Sequence, residues 1–418
     1  MTAFTYRDGV LCADSVSLAD IAAKVGTPFY VYSETRLREN FREFHSHLAD
    51  LNPLICFAVK ANPNVAVIKI LADCGAGADI TSAGELERAV KAGIPPQKII
   101  FSGVGKTRDE IAIALKLGIF QLNAESIPEM RIISEVAASL NLRAPLTLRV
   151  NPNVAAHTHF KLATGEMGTK FGIDSAQLDE AMELTRTLPA LDLKGFQVHV
   201  GTHLFDYGDF REAYTKLADM VRFWRGKGFA LTRLDLGGGV GIPYDGRTQA
   251  PFSEYAQIVH ETVGKLGCEL AFEPGRRLVG DAGALVSRVV YDKRGVSKRF
   301  LILDAGMNDL IRPAMYEARH SIVPVREGPV TGYHNSEPEP ADVVGPVCET
   351  SDLFGENYLL PGVGQGDLVA ILQGGAYGAA MSSNYNGRAL VPEVLTSGDK
   401  FRTIRRRITV TEQIGWEE

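Results

Sequence analysis

The chain has 418 residues, of which 45% are hydrophobic and 22% are charged, and its formal net charge is -6 at pH 7. This length exceeds what one ordinary hydrophobic core occupies, so we expect a large domain together with a smaller one. The composition is typical of a soluble globular protein, and the acidic balance excludes the basic surface on which nucleic-acid binding depends.

Five cysteines are scattered along the chain without a CxxC pair. This pattern argues against a disulfide framework and against a structural zinc site, and we expect reduced thiols. The N-terminal residues lack the pattern of an export signal, and no run approaches the length of about 18 apolar residues that spans a bilayer. We therefore expect a cytoplasmic protein that contacts neither a membrane nor nucleic acid.

The first elements along the chain are an apolar strand at residues 28–32 and a helix that begins after Ser33. The sequence FAVKAN follows, with Lys60 where a buried strand runs into a loop. An ammonium among apolar walls loses proton affinity, and its neutral amine can then form a Schiff base with a carbonyl. The alternative is a lysine that simply emerges from the strand into solvent.

From Lys60 onward, apolar strands alternate with helical patterns. The strands are predicted at residues 54–59, 77–81, 98–102, 120–123, 146–150, 195–200, 233–236 and 269–272. Eight strand-helix units over about 220 residues favour a (β/α)8 barrel over an open doubly wound sheet. In such a barrel, functional side chains lie just past the carboxyl ends of the strands.

Polar residues occupy these strand ends in every unit. They are Lys60, Asp79 with Ser82, Ser102 and Gly103, Asn123 with Glu125, Arg149 with Asn151, His199, Gly237 to Gly239, and Glu273. Eight unrelated strand ends are not expected to supply so many polar groups by chance, which is the strongest structural argument for an active site at this end of the barrel.

After Glu273 the pattern changes to alternating runs separated by Gly, Pro, Asn and Asp, as in an antiparallel β domain. We predict an α/β protein with a (β/α)8 barrel at residues 33–275 and a discontinuous, mostly antiparallel β domain at 1–32 and 276–418. Residues 153–172 form a long irregular segment of the kind used as a lid or binding loop, or left disordered.

Several motifs in the barrel permit both a functional and a structural interpretation. Gly237 to Gly239 suit a phosphate site or a tight turn, and His199 suits a ring stacked on a planar cofactor or a core histidine. Glu273 can pair with a ring nitrogen and Arg276 with a phosphate or carboxylate, or the two can close the barrel as a salt bridge. A metal is not expected, because His199 and His203 are not spaced along a helix.

The β domain contains three further motifs. Cys348 and Glu349 stand together at the end of an alternating run, and they matter only if that domain faces a barrel mouth. Arg312 and Tyr316 have helical spacing, which usually marks a polar face. Tyr377 lies in a stretch of small residues that lets a ligand come close.

The order of the motifs FAVKAN, HVGTH, DLGGG, EPGR, RPAMY, GPVCETSD and GAYGAAMSSNYN resembles the alanine-racemase-like, or fold type III, pyridoxal phosphate enzymes from about residue 27 to residue 385. Within that group the chain is similar to the decarboxylases of meso-2,6-diaminopimelate, which release L-lysine and carbon dioxide in the last step of lysine biosynthesis. The resemblance implies pyridoxal 5'-phosphate as the cofactor.

The resemblance also implies roles for individual residues. Lys60 binds the cofactor as a Schiff base, Glu273 pairs with the ring nitrogen, and His199 stacks on the ring. The residues implied around the cofactor and the substrate are Asp79, Thr202, Gly238, Gly239, Arg276 and Tyr377. Thr202 and His203 stand where the family usually has Ser and Gln; the hydroxyl is kept, whereas the effect of His203 is open.

For the substrate's distal end, the resemblance implies that Arg276, Arg312 and Tyr316 bind the carboxylate and Glu349 the ammonium. Cys348 and Glu349 reach the active site of a partner subunit, so a homodimer with shared active sites is expected. We further hypothesise that Cys348 returns the proton to the product, alongside Lys60 and His199 as catalytic residues.

Three other functions remain open at this point. Ornithine, arginine or carboxynorspermidine could be the substrate, although a buried arginine left unpaired would be costly with ornithine. A non-catalytic pyridoxal phosphate carrier would lack the β domain. A nicotinamide-dependent barrel enzyme gives no reason for a lysine at position 60.

Overall fold

The computed structural model describes residues 3–151, 170–244, 250–327 and 339–417. These residues fall into two compact units. The first comprises residues 1–40, 243–248 and 278–418, and the second comprises residues 41–242 and 249–277. The segment predicted at 153–172 lies outside the described residues except for its last three positions.

The first unit begins with three short strands, β1 (Phe4–Arg7), β2 (Val10–Ala13) and β3 (Val16–Ser17), which form an antiparallel sheet. Helix α1 (Leu18–Val25) starts at Ser17, whose hydroxyl accepts the Asp20 N–H, and ends at Gly26. Strand β4 (Phe29–Ser33) and helix α2 (Glu34–Ser46) follow.

Eight parallel strands close into a barrel in chain order, as the sequence predicted. They are β5 (Leu54–Ala58), β6 (Gly77–Ile80), β7 (Ile99–Phe101), β8 (Gln121–Ala124), β9 (Ala144–Arg149), β10 (Leu191–Gln197), β11 (Arg233–Asp235) and β12 (Glu269–Phe272). The helices after them are α3 (Val65–Asp73), α4 (Ala83–Lys91), α5 (Arg108–Leu117), α6 (Ile127–Ser139), α7 (Leu178–Thr187), α8 (Gly208–Gly226), α9 (Phe252–Thr262) and α10 (Arg276–Val279).

Three consecutive barrel helices start with the same device. Ser82, Thr107 and Ser126 are the N-caps of α4, α5 and α6, and each hydroxyl accepts the N–H of a glutamate three residues later. A side-chain acceptor satisfies one of the unpaired N–H groups of a first turn, and the glutamate favours the positive end of the helix dipole. The loops after three neighbouring strands are thereby held in place.

Strand β10 is the largest departure from the predicted boundaries, since it was expected at 195–200 and is found at Leu191–Gln197. Its pairing with β9 shifts between Leu193 and Gly195, so the bulge interrupts the alternation by which a strand is recognised. His199 therefore lies beyond the strand, in a segment tied to β11 by the hydrogen bond from Val198 N to the Asp235 carbonyl (2.9 Å).

The remaining strands of the first unit are β13 (Gly283–Arg294), β14 (Arg299–Leu303), β15 (Ile322–Pro324), β16 (Pro340–Val344), β17 (Leu353–Leu359), β18 (Leu368–Ile371), β19 (Glu393–Ser397) and β20 (Lys400–Arg405). With β4 they form a nine-stranded sheet, ordered β17-β16-β14-β13-β4-β19-β20, in which β18 joins β13 to β15. Two pairs, β14 with β16 and β4 with β19, are parallel, and the other strand pairs of the described sheet are antiparallel.

The first unit also carries two short helices, α11 (Arg312–Tyr316) and α12 (Val410–Ile414). Its apolar core joins Leu18 and Ile21 of α1 to Phe29, Val31 and Val286 of the sheet. The architecture is thus a (β/α)8 barrel with a separate, mostly antiparallel β unit, which confirms the predicted fold class. Within the described residues, no helix combines the length and the apolarity needed to cross a bilayer.

Candidate active site

Lys60 lies in a short 3-10 helix, Val59–Ala61, directly after β5. Its Nζ is 2.8 Å from Oδ2 of Asp79; the lysine side chain is 40% exposed, whereas Asp79 is fully buried. The sequence argument placed this lysine among apolar walls, but the structure pairs it with a carboxylate at the neighbouring strand end. The amine is accessible to a ligand, and Asp79 holds it at the edge of the barrel interior.

Glu273 follows β12 and is buried at the same end of the barrel. Its Oε1 accepts hydrogen bonds from Ser102 Oγ (3.1 Å) and Asn123 Nδ2 (3.1 Å), and its Oε2 accepts one from Gln197 Nε2 (3.2 Å). Burial raises the pKa of Glu273 well above its ordinary value, and the neighbouring Asp235 and Asp79 carboxylates raise it further. Both effects favour the protonated form of this carboxyl.

The turn after Glu273 packs against the lysine segment. The Ala58 N–H donates to the Pro274 carbonyl (3.1 Å), and Gly275 sits so close to Ala58 and Ala61 that an added Cβ would be 3.1 Å from each of their Cβ atoms. Arg276 follows, buried at the start of α10. This contact brings Lys60, Glu273 and Arg276 into one part of the barrel unit.

Gly237 to Gly239 form a tight turn between β11 and the backbone of the neighbouring loops. A Cβ on Gly238 would lie 2.4 Å from the Glu273 carbonyl oxygen, and one on Gly239 would lie 2.3 Å from the Gly201 carbonyl oxygen. Real side chains do not tolerate such distances, so both positions require glycine. The turn is therefore packed directly against the backbone that follows β10 and β12.

His199 and Thr202 border this turn. The Gly238 N–H donates to His199 Nδ1 (3.3 Å), so the ring carries any proton on Nε2. Burial, together with the positive charges of Arg149 and Lys60, lowers the pKa of His199 well below its ordinary value. The imidazole is thus neutral at pH 7. The loop containing Thr202 pairs with the glycine turn through the hydrogen bond from Leu204 N to the Gly239 carbonyl (2.9 Å).

A buried polar network in the barrel includes residues that were not predicted as site residues. Asp235 Oδ2 accepts from Gln121 Nε2 (3.0 Å) and Asn123 Nδ2 (3.1 Å), and Thr147 Oγ1 donates to the Asn123 amide oxygen. Burial raises the pKa of Asp235 to about 6. The signal in the sequence was a carboxylate inside an apolar strand, two residues before the triple glycine.

Two buried ion pairs stabilise the loops around the barrel end. Arg149 and Glu125 are joined at 2.7 Å, and the same glutamate accepts the N–H groups of Gly103 (3.2 Å) and Gly172 (3.0 Å). Lys106, almost completely buried, pairs with Glu129 at 2.8 Å. The strand-end residues Arg149 and Glu125 therefore have a structural partner in each other.

In the β unit, Arg312 is 2% exposed and begins α11. Its Nη1 donates to His320 Nε2 (2.8 Å), which leaves His320 Nδ1 to donate to the Leu372 carbonyl (2.8 Å). The guanidinium also lies over the ring of Tyr244, 4.3 Å from its centroid. Tyr316 is half-buried at the end of the same helix.

Cys348 and Glu349 are exposed and belong to a small surface cluster within the β unit. The Cys348 N–H donates to the Asn386 amide oxygen (3.0 Å), and Tyr385 donates its hydroxyl proton to Glu349. Hydrogen bonds from Tyr385 and Ser351 lower the pKa of Glu349. Sequence reasoning missed Tyr385 and Asn386, which lie in the same SSNYN segment as the end of the Tyr377 motif.

Tyr377 is half-buried and adopts a left-handed backbone conformation, with a φ of 56°. Such a conformation is uncommon for a tyrosine and is often found at ligand sites. Among the described residues, no group of three His, Cys, Asp or Glu side chains is arranged as metal ligands. The predicted loop at 153–172 contains two histidines, His157 and His159, which lie outside the described residues.

Comparison with known proteins adds independent findings. Residues 34–280 match the family described as the pyridoxal binding domain of the pyridoxal-dependent decarboxylases. The chain belongs to this family. It is 43% identical over 417 residues to the diaminopimelate decarboxylase of Zymomonas mobilis, with 99% of this chain and 97% of that protein covered. The corresponding enzyme of Neisseria meningitidis serogroup A is 44% identical over 407 residues, covering 97% and 98%.

Solved structures agree with the sequence relatives. Diaminopimelate decarboxylase from M. jannaschii in complex with L-lysine superimposes with a TM-score of 0.93 at 34% identity, covering 100% of this chain and 98% of that one. The Helicobacter pylori enzyme with L-lysine gives a TM-score of 0.90 at 38% identity, covering 96% and 98%. Within the pyridoxal-dependent decarboxylases, the chain therefore groups with the diaminopimelate decarboxylases.

The residues in the barrel fit the cofactor of a pyridoxal-dependent decarboxylase. An accessible lysine amine, a buried carboxyl with a raised pKa, and a tight turn of three glycines lie at one end of the same barrel. These are the groups needed for a carbonyl carbon, a ring nitrogen and a phosphate.

Proposed function

We propose that this chain decarboxylates meso-2,6-diaminopimelate to L-lysine and carbon dioxide with pyridoxal 5'-phosphate, as the last step of lysine biosynthesis. The support is the full-length similarity to proteins named for this activity, two of which have been solved with L-lysine. The observation that carries the proposal is the buried acid Glu273 at the same barrel end as the accessible Lys60 amine.

When bound, pyridoxal phosphate supplies an electron sink for the carbanion that remains after loss of carbon dioxide. The sink is deepest when the ring nitrogen is protonated, and Glu273 holds a proton for that position. A residue that kept the ring nitrogen unprotonated would give a weaker electron sink, which suits racemisation instead. The carboxyl at position 273 therefore favours decarboxylation over the other chemistry of this fold group.

The proposed roles of the barrel residues follow from their positions. Lys60 binds the carbonyl carbon of the cofactor through its amine, with Asp79 orienting that amine at 2.8 Å. His199, neutral and held by Gly238, lies against the ring face. The groups proposed around the phosphate or the substrate are Thr202, Gly238, Gly239, Arg276 and, from the β unit, Tyr377.

The distal end of the substrate carries both a carboxylate and an ammonium. We assign the carboxylate to Arg276, Arg312 and Tyr316 and the ammonium to Glu349. His320 and the Tyr244 ring hold the Arg312 guanidinium, which reduces the entropy that carboxylate binding costs. A cation at this position disfavours ornithine, whose distal end is an ammonium alone, and so argues against the alternative basic amino acids.

A homodimer with shared active sites is also proposed. Cys348 and Glu349 are exposed on the isolated chain although Glu349 is held in one orientation by Tyr385 and Ser351. Ordered, exposed polar groups of this kind suit a partner's active site. In that position Cys348 would return the proton to the product. We place the reaction in the cytoplasm, because all five cysteines are free thiols.

The deciding experiment measures carbon dioxide release from meso-diaminopimelate, L-ornithine and L-arginine, with and without added pyridoxal phosphate. We expect cofactor-dependent turnover of diaminopimelate alone, with L-lysine as the product. Faster release from ornithine or arginine would refute the substrate assignment. No release from any of them, with the cofactor bound, would instead indicate a pyridoxal phosphate carrier. The β unit of this chain argues against that outcome, because such carriers are expected to lack a β domain.

Two variants refine this result. Lys60→Ala should bind no cofactor that borohydride can trap, whereas Lys69→Ala, which removes an exposed lysine paired with Asp73, should behave as the unmodified chain does. Cys348→Ala should lose most lysine production while retaining the cofactor absorbance. Full activity with unchanged stereochemistry in that variant would exclude the thiol as the proton donor.

A further inference from the structure

Asp235, the last residue of β11, is a fully buried carboxyl surrounded by hydrogen-bond donors. Its Oδ2 accepts from Gln121 Nε2 (3.0 Å) and Asn123 Nδ2 (3.1 Å), and its Oδ1 accepts from the Gly237 N–H (3.1 Å). Three donors from protein groups stabilise the ionised form of a buried carboxyl. Asp235 is thus equipped to carry a negative charge inside the barrel.

Asp235 and Glu273 are neighbours in this site. The Asn123 Nδ2 atom bridges them, 3.1 Å from Oδ2 of Asp235 and 3.1 Å from Oε1 of Glu273. Two buried carboxylates that contact the same amide nitrogen repel each other, and this repulsion favours a proton on one of them. Burial and the nearby Asp235 and Asp79 carboxylates raise the pKa of Glu273 well above its ordinary value, so Glu273 is the partner that holds the proton.

Other charged and titratable groups face the pair from the surrounding elements. Asp79 after β6 favours keeping the proton, and Lys60 after β5 favours losing it. Burial, together with the negative charge of Asp235, raises the pKa of the Cys56 thiol on β5 and of the Tyr214 hydroxyl on α8. Both groups therefore remain neutral. Asp79 is paired with Lys60, whereas no ion pair of Asp235 occurs among the described residues. Asp235 is therefore the neighbour of Glu273 whose negative charge is not offset by a cation of its own.

We propose that Asp235 is a positioning residue that keeps a proton on Glu273 until the cofactor ring arrives, and that Glu273 then passes this proton to the ring nitrogen. In that transfer the Glu273 O–H bond breaks, an N–H bond forms at the ring nitrogen, and no proton is exchanged with solvent. Five donor groups stabilise the charge left on the two carboxylates: the Gly237 N–H, Gln121, Asn123, Ser102 and Gln197. This role rests on the proposed function only in that pyridoxal phosphate binds the barrel.

The first test uses the unmodified protein. An infrared difference spectrum between the pyridoxal phosphate-loaded and the cofactor-free chain should show loss of one protonated-carboxyl C=O band. The band should not be lost in Glu273→Gln, which has no carboxyl at that position. A spectrum of the unmodified protein in which no protonated carboxyl disappears would overturn the proposal, whatever the protein's substrate.

The second test follows ring protonation by ¹⁵N NMR of ¹⁵N-labelled pyridoxal phosphate bound to the protein at increasing pH. Asp235→Asn removes the charge but keeps the size, and should lower the proton affinity of the ring nitrogen at least tenfold. Gln197→Leu removes a donor to Glu273 and should raise it. A merely structural role would shift both variants in the same direction, and an unchanged midpoint in Asp235→Asn would overturn the proposal.

These readouts are independent of turnover. A chain that binds pyridoxal phosphate with the expected proton movements but releases no carbon dioxide from diaminopimelate would refute the proposed function alone. If Asp235→Asn does not fold, the infrared measurement on the unmodified protein decides.

Discussion

Replacing Gly238 by alanine tests whether the glycine turn shapes the cofactor site. An added Cβ would lie 2.4 Å from the Glu273 carbonyl oxygen, so the turn or the residue after β12 must move by about 0.6 Å to reach even a tight contact. Overpacking of this kind costs about 1–3 kcal/mol of folding free energy. The backbone that moves belongs to Glu273 itself, whose carboxyl holds the proton for the ring nitrogen.

The functional effect should exceed the effect on stability. The same movement disturbs the hydrogen bond from the Gly238 N–H to His199 Nδ1 (3.3 Å), which orients the imidazole. A displacement of about 1 Å at a catalytic group can reduce turnover by about 100-fold, and we expect a loss of that order in Gly238→Ala. The affinity for pyridoxal phosphate should fall as well, since the turn is also the proposed phosphate site.

Urea unfolding of the cofactor-free chain measures the stability, and an absorbance titration with pyridoxal phosphate measures the affinity. Gly226→Ala is the matched control, because a Cβ at that end of α8 meets no atom within 4 Å. It should unfold at the same urea concentration as the unmodified chain, or slightly higher. The reasoning fails if Gly238→Ala matches Gly226→Ala in stability, affinity and turnover.

Three further predictions concern charged and titratable side chains. Arg312→Gln should reduce kcat/KM for diaminopimelate by about 100-fold or more while leaving the affinity for pyridoxal phosphate unchanged. Steady-state kinetics measures the first quantity and an absorbance titration the second. Activity equal to that of the unmodified chain would show that the assignment is wrong. Glu125→Gln breaks the buried pair with Arg149 and should lower the free energy of unfolding by about 3–5 kcal/mol, whereas Glu135→Gln, at an exposed pair, should change it by less than about 1 kcal/mol; urea midpoints compare the two. The pKa of His199 is lowered in the folded chain, so the unfolded chain binds the proton first as pH falls. The free energy of unfolding should therefore decrease as pH falls below about 6.5. His199→Gln should flatten this part of the plot of unfolding free energy against pH, and parallel plots for the two chains would contradict the prediction.

The amino-acid sequence alone predicted the barrel and the end of it, at the carboxyl ends of the strands, that carries the candidate active site. Period-two apolar runs separated by helical patterns predict eight parallel strands, and the carboxyl ends of such strands meet on one face whatever the loops between them. The strand-end positions of Lys60, Asp79, His199 and Glu273 are therefore enough to predict that they lie at the same end of the barrel. The departure at β10 arose because a bulge at Lys194 breaks the alternation that defines a strand.

Other parts of the site required tertiary structure, since they depend on distances between residues far apart in the chain. Asp235 reads as part of a strand, and only closure of the barrel brings it to the Asn123 amide that also contacts Glu273. Likewise, no local pattern joins Arg312 to His320 and Tyr244.

Lys60 shows the same division between sequence and structure. Its position at a strand end followed from the sequence, which also suggested that apolar walls would make its amine neutral. The structure instead pairs the ammonium with Asp79, because adjacent parallel strands bring their end residues within hydrogen-bonding distance. Sequence periodicity determines where a side chain sits along its element, whereas its charge state depends on which neighbours the closed barrel supplies.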